Sequence, residues 1–212
     1  MDWIKYKSKN WNLTEDYINT HDIDWDIICI YQSLSEEFIL KNKEKVNWDN
    51  ISSYQKLSER FIRENKQCVN WKNISIHQRL SESFIEEFKD YIDWIEVSKN
   101  QRLTDWFIEK YKNLIDWSSI CRCQILSENI MDKNFMLLDW YYVSLFQSMS
   151  NNFIYKYKDY LDITSVIINN ISFKTNEDIL SNLFKYIDWN IIIEKDIIPY
   201  EQYKRIKEKQ YE

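Results

Sequence analysis

Hydrophobic and polar positions recur along this chain with a period of 23 residues. Tryptophan marks this period most clearly, at Trp25, Trp48, Trp71, Trp94, Trp117 and Trp140. Ile163 occupies the next position of this Trp column, and Trp189 follows it by 26 residues. Asp or Asn stands directly before nearly every one of them, as in Asp24 and Asn47. Self-similarity at a fixed period predicts a tandem-repeat architecture.

Two helix starts are predicted in each period. Asp24 has the side chain of an N-cap, and Ile23 with Ile28 has the spacing of a hydrophobic staple. About ten residues after each Trp comes a Leu-Ser-Glu-x-Phe-Ile element, with Ser35 as the first capping residue. It recurs at Leu57, Leu80 and Leu103, and more loosely at Leu126 and Met149.

The spacing predicts a helix A from Trp25 to about Gln32, with Trp25, Ile28, Cys29 and Gln32 on one buried face. A helix B is predicted from Glu36 to about Lys43, and it would bury Phe38, Ile39 and position 42. Helices this short are unstable alone, so neighbouring repeats must supply the missing burial. The predicted fold is all-α, an α-solenoid of about nine two-helix repeats.

The whole chain, 1–212, is predicted to form one repeat array. Its repeats begin near residues 2, 24, 47, 70, 93, 116, 139, 162 and 188. An irregular joint is expected at 163–176, where the Trp is lost and three extra residues enter. Residues 188–212, with the single proline Pro199, are expected to form a C-terminal cap.

Composition narrows the possible functions. The chain has no glycine and no alanine, so Asn is expected to supply any left-handed turn position, and phosphate-cradling glycine loops are excluded. The net charge of −6 argues weakly against nucleic acid or an anionic membrane as general partners. We also expect no membrane span, no signal peptide, reduced cysteines and a cytoplasmic location.

The Asp-Trp-x-x-Ile-Ser-x-x-Gln-x-Leu-Ser-Glu-x-Phe-Ile pattern, seen from Asn70 to Ile85, resembles short repeats of proteins from giant DNA viruses of amoebae (mimivirus-like). The resemblance covers nearly the whole chain. It implies a viral interaction module in the host cytoplasm or the virion, without shared catalytic residues.

Several polar columns have a structural and a functional interpretation. The Gln column, from Gln32 to Gln147, favours bonds to unpaired backbone groups over a ladder that binds a repetitive ligand. The Glu residues after each Ser favour helix capping over catalysis. Cys121 and Cys123 lack a second pair that would complete a zinc site, and no metal or other cofactor is expected.

A Lys column places one cation in most of the repeats. Its members are Lys43, Lys66, Lys89, Lys112 and Lys158. Such a row could contact a phosphate backbone, but a position in the last turn of helix B, where a cation complements the helix dipole, explains the column more simply.

Aromatic side chains are predicted to face away from the core, mainly six residues after the Trp. Such clusters are typical anchors of protein interfaces. The candidate partner-binding residues are Tyr31, Tyr54, His77, Trp106, Tyr141, Tyr142 and Phe146. We therefore predict a non-enzymatic scaffold or adaptor that binds a protein partner. The alternative is a structural virion or ribonucleoprotein component that contacts nucleic acid through the Lys column. The oligomeric state is not predicted.

Overall fold

The computed structural model describes residues 12–174 and 176–211, and every regular element within these ranges is a helix. The described A helices are Trp25–Tyr31, Trp48–Tyr54, Trp71–His77, Trp94–Asn100, Trp117–Cys123, Trp140–Phe146, Ile163–Asn169 and Trp189–Glu194. The B helices are Glu15–Thr20, Glu36–Lys41, Glu59–Glu64, Glu82–Glu87, Asp105–Lys110, Glu128–Lys133, Asn151–Tyr157, Glu177–Asn182 and Tyr200–Glu208. The first predicted repeat begins near residue 2, and its A helix lies outside the described residues. The all-α repeat fold is confirmed, with the B helices a little shorter than predicted.

The chain divides into two compact units, a first that ends at Arg102 and a second that begins at Leu103. Inside the first unit, helix Trp48–Tyr54 packs against the A helices before and after it in sequence. Inside the second, helix Trp140–Phe146 does the same between Trp117–Cys123 and Ile163–Asn169. Each unit is thus a stack of two-helix layers in the manner of an α-solenoid. That all repeats form one continuous array stays a prediction.

The predicted caps begin the helices. The Asp24 carboxylate accepts hydrogen bonds from the amides of Asp26 and Ile27, and the Ser35 hydroxyl accepts one from Phe38. The A helices from Trp25–Tyr31 to Ile163–Asn169 end directly in extended backbone, as at Gln55, and therefore need no left-handed residue. Among the described residues, positive φ occurs at Asp196, so the expectation that Asn would supply such positions is wrong.

The core consists of aliphatic and phenylalanine side chains from both helices of each layer. Ile51, Ile62 and Ile74 are fully buried, and Phe61 nearly so. The Trp rings, by contrast, are half-buried, so Trp25 lies at the edge of the predicted buried stripe and is less buried than Ile28 and Cys29. From Trp48 onward the indole N–H donates to a carbonyl five residues earlier, as in Trp48, Trp71 and Trp94, and this bond holds the ring at the layer's edge.

Trp48 and Trp71 show this edge position clearly. The Trp48 Nε1–H donates to the Lys43 carbonyl at 3.2 Å, and its ring stacks on Phe61 with centroids 6.2 Å apart. The Trp71 ring stacks on Phe84 in the same way. The indole therefore joins a layer's own B helix to the turn that precedes the layer.

The predicted irregular joint contains an additional short helix, Ile171–Lys174. Ile163, in the Trp slot, is 1% exposed and so is more deeply buried than the Trp rings. Unlike Trp, Ile has no side-chain N–H that must reach a carbonyl at the layer's edge, so its side chain lies fully in the core. The B helix Glu177–Asn182 then resumes the pattern with Asn176 as its N-cap.

Candidate interaction surface

The Gln that follows most A helices connects one repeat to the previous one. The Gln78 Nε2 group donates to the carbonyls of Ser52 and Gln55 at 2.9 and 2.8 Å. Its Oε1 atom accepts from the Leu57 amide at 3.1 Å. One carboxamide thus uses two N–H groups and one oxygen on three backbone groups of the preceding repeat.

The same connection recurs along both units. Gln55 donates to Cys29 and Gln32 and accepts from Leu34. In the second unit, Gln147 donates to the carbonyls of Cys121 and Gln124, and it accepts from Leu126. Gln55 and Gln78 are buried, so these amides are not available to a ligand. The structural interpretation of the Gln column is supported by this geometry, and the partner backbone belongs to the preceding repeat.

The acidic residues after each capping Ser form a second connection between repeats. Glu36 Oε1 accepts from the Ser58 amide at 2.6 Å, and Glu59 Oε1 accepts from the Ser81 amide at 2.5 Å. In the second unit, Glu128 accepts from the amide and the hydroxyl of Ser150. These carboxylates stabilise the next repeat's N-cap, which accounts for their recurrence.

The cysteines divide between buried and exposed positions. Cys29 and Cys121 occupy a slot that is Ser in several other repeats, and both are fully buried. Burial raises the pKa of the Cys29 thiol, and it raises the pKa of Cys121 to about 11. Cys123 is exposed, so the Cys-x-Cys pair places its two thiols in different environments. The described residues hold no group of three or more His, Cys, Asp or Glu arranged to bind a metal ion.

The Lys column lies in the turn after each B helix. Lys43 and Lys112 lie within ion-pair distance of Glu44 and Glu109, at 3.8 and 2.9 Å. The Lys158 ammonium lies 5.4 Å from the Tyr186 ring centroid. These contacts fit the interpretation of the column as exposed helix ends, and contact with a phosphate backbone stays a prediction.

In the first unit, the predicted aromatic column lies at the surface. Tyr31 and Tyr54 are 51% and 59% exposed, and His77 is exposed as well. Tyr54 and His77 come from successive A helices and line one cavity of about 520 Å³. The structure therefore brings two of the predicted residues to one site.

In the second unit, three predicted residues form an aromatic cluster on helix Trp140–Phe146. Tyr141 and Phe146 are exposed, whereas Tyr142 is half-buried between them. The ring centroids of Tyr141 and Tyr142 are 5.3 Å apart, and those of Tyr142 and Phe146 are 6.0 Å apart. Trp106 is separate from this cluster in sequence, on a B helix, with the Lys110 ammonium 4.7 Å from its ring centroid.

The sequence interpretation missed a row of cations in the loops between helices A and B of the first unit. Lys56, Arg79 and Arg102 each come eight residues after a Trp, in three successive repeats, and all are exposed. Their shared position is visible in the sequence. The conformation that places Lys56 and Arg79 beside Tyr54 and His77 is visible only in the structure.

A third exposed set is aliphatic. Leu114 and Leu137 occupy the same position in successive repeats of the second unit and are 49% and 45% exposed. Ile125 and Met136 are also exposed there.

Comparison with family models, curated proteins and solved structures gives no match for this chain. The surface must therefore be interpreted from its own chemistry. Among the described residues, no helix has the length and apolar composition needed to cross a bilayer.

Proposed function

We propose that this protein is a non-enzymatic repeat scaffold that binds a protein partner through the exposed ends of its A helices. The observation that carries the proposal is the aromatic column of the first unit, where Tyr31, Tyr54 and His77 occupy one exposed position in successive repeats. Exposed rings lose little conformational entropy on binding and bury a large area, which is why interfaces are rich in them.

The regular polar columns support this proposal because they are occupied in joining repeats. Gln78 uses its carboxamide on backbone groups, and Glu36 and Glu59 bond the amides of the following N-caps. A scaffold needs such regular connections, whereas a catalytic site needs groups that differ from repeat to repeat. A viral source and a role in the host cytoplasm or virion are implied by the sequence resemblance and stay predictions.

Site-specific photocrosslinking tests the proposal. A benzophenone amino acid is placed at Tyr54, at Tyr141 or, as a control, at the exposed Lys72, and each variant is irradiated in extract from the native source. We expect a discrete protein adduct at position 54 or 141 and none at position 72. The adduct's protein is then purified and titrated against the wild type, Tyr54→Ala and Tyr141→Ala.

We expect at least a tenfold loss of affinity for the variant whose position gave the adduct, since truncating a central aromatic anchor costs about 2 kcal/mol or more. Equal adducts at all three positions, or equal binding by all three proteins, would show that these aromatics are not the interface.

A further inference from the structure

The cation row of the first unit is available for a ligand. Lys56, Arg79 and Arg102 are exposed, and within residues 12–174 and 176–211 none of them forms an ion pair. Other cations of the same unit are engaged: Arg63 makes a bidentate pair with Glu87 at 2.7 and 2.8 Å, and Lys41 pairs with Glu37 at 2.8 Å. Within the part of the chain that the structure describes, the same loop position thus carries a cation without an ion pair in three successive repeats.

These loops border two clefts that share one residue. Tyr54, Lys56, His77 and Arg79 line the cavity of about 520 Å³, and Arg79 and Arg102 line a second of about 300 Å³. Because Arg79 belongs to both, the clefts form one groove along three successive loops. We call this the AB-loop groove, and it lies entirely within the first unit.

The acidic residue of the groove is already engaged. Glu59 lines the larger cavity, and its Oε1 atom accepts a hydrogen bond from the Ser81 amide at 2.5 Å. The groove is therefore lined by three cations and two aromatic rings, and the one carboxylate that lines its larger cavity already accepts a hydrogen bond from the backbone. This charge pattern suits an anionic ligand.

The period of the row identifies the conformation of that ligand. Neighbouring packed helices lie roughly 8–10 Å apart, so equivalent cations in successive layers have about that spacing. A polyproline II helix has 3 residues per turn and a rise of 3.1 Å, so every third side chain lies on one face roughly 9 Å from the last. In a β-strand every second side chain lies on the same face, roughly 6.7 Å from the last, so a strand's side chains would not stay aligned with the cations.

We propose that the AB-loop groove binds an acidic, proline-containing peptide segment of the partner in polyproline II conformation, with carboxylates at every third position. The carboxylates pair with Lys56, Arg79 and Arg102, and proline rings between them pack on Tyr54 and His77, as in other aromatic-lined grooves for such peptides. This rests on the proposed function, because the segment is part of a protein partner.

The test is a fluorescence-anisotropy titration of the purified full chain with three labelled nonapeptides. The first is Glu-Pro-Ser repeated three times. The second has the same composition with its three Glu residues contiguous, and the third replaces each Glu with Lys. We expect saturable binding of the first, at least fivefold weaker binding of the second because its carboxylates lack the period, and none of the third.

Variants assign the binding to the groove. Arg79→Glu, at the centre of the row, should weaken binding of the first peptide at least tenfold, and Tyr54→Ala should weaken it severalfold. Lys72→Glu makes the same charge change at an exposed position of the same unit outside the groove and should leave binding unchanged. Circular dichroism of each variant confirms that it is folded.

Three outcomes would overturn the inference: equal binding of the two acidic peptides, equal binding by wild type and Arg79→Glu, or tighter binding of single-stranded oligonucleotide with the same dependence on Arg79. The last would make the groove a nucleic-acid site. A partner crosslinked at Tyr54 without peptide binding would contradict this inference and leave the proposed scaffold role in place. No adduct at either aromatic position would contradict the scaffold role itself.

Discussion

A glutamine side chain fits its place between repeats because a carboxamide is both donor and acceptor. The loop between helices A and B leaves carbonyls and an amide without helical partners, and burial makes each such group costly. Gln78 bonds three of them at once. Glutamate would present oxygens to two carbonyls, and an aliphatic residue would leave all three groups without these bonds.

Replacing Gln78 with Leu should therefore destabilise the protein. The side chains are similar in size, so the change removes hydrogen bonds with little change in volume. Because three buried backbone groups lose their partner, we expect the free energy of unfolding to fall by about 2–4 kcal/mol. Urea unfolding measures the loss, and amide exchange should show faster exchange at Leu57 than in the wild type. The exposed Gln67→Leu serves as control, and equal midpoints for the two variants would contradict this role.

The burial and backbone bonding of the Gln column could be predicted from its place on helix A. The sequence could not predict which repeat supplies the backbone groups, because spacing along the chain does not show which loop lies next to a given side chain. The half-burial of Trp48 was missed for a related reason. Hydrophobic periodicity places the residue on the inward face, whereas its indole N–H draws it to the layer's edge.

Short helices in this protein are fixed at their starts. In helix Glu59–Glu64, the Ser58 hydroxyl accepts from the Phe61 amide at 3.1 Å and also donates to Glu36 of the preceding repeat. The cap therefore stabilises a helix and an interface together. Both the Ser and the Glu were predicted as parts of a helix start, but their contact across repeats was not, because it depends on how the layers stack.

Ser58→Ala removes the cap and the hydroxyl's bond to Glu36, while the Ser58 amide keeps its own bond to Glu36. An N-cap substitution of this kind costs about 1 kcal/mol, and the second bond should take the loss to the upper part of the usual range, about 2 kcal/mol. Thermal and urea unfolding provide the measurement. Ser33→Ala, at an exposed loop position, is the matched control, and a loss no greater than the control's would show that capping is unimportant here.

Within the first unit the repeats act as interchangeable layers, because the same Gln and Glu contacts recur from one repeat to the next. Gln101 contacts Ser75, Gln78 and Leu80 as Gln78 contacts Ser52, Gln55 and Leu57. In such arrays, stability is approximately the sum of repeat and nearest-neighbour contributions. The 23-residue period and the helical class were readable from sequence, since many columns agree in register. The division into two compact units could not be predicted from the sequence, because the 23-residue period continues across the boundary without a break.

Deletion of one complete repeat, residues 71–93, tests the interchangeability of layers most directly. It joins Asn70 to Trp94 and allows Gln101 to take the bonds of Gln78 to Ser52, Gln55 and Leu57. We predict a folded protein with unchanged helicity per residue and cooperative unfolding at lower urea concentration, because one repeat and its interface are lost. Deletion of residues 71–81 alone, which removes an A helix and leaves its B helix, should abolish cooperative unfolding. Loss of helicity in the in-register deletion, or equal behaviour of the two deletions, would contradict the account.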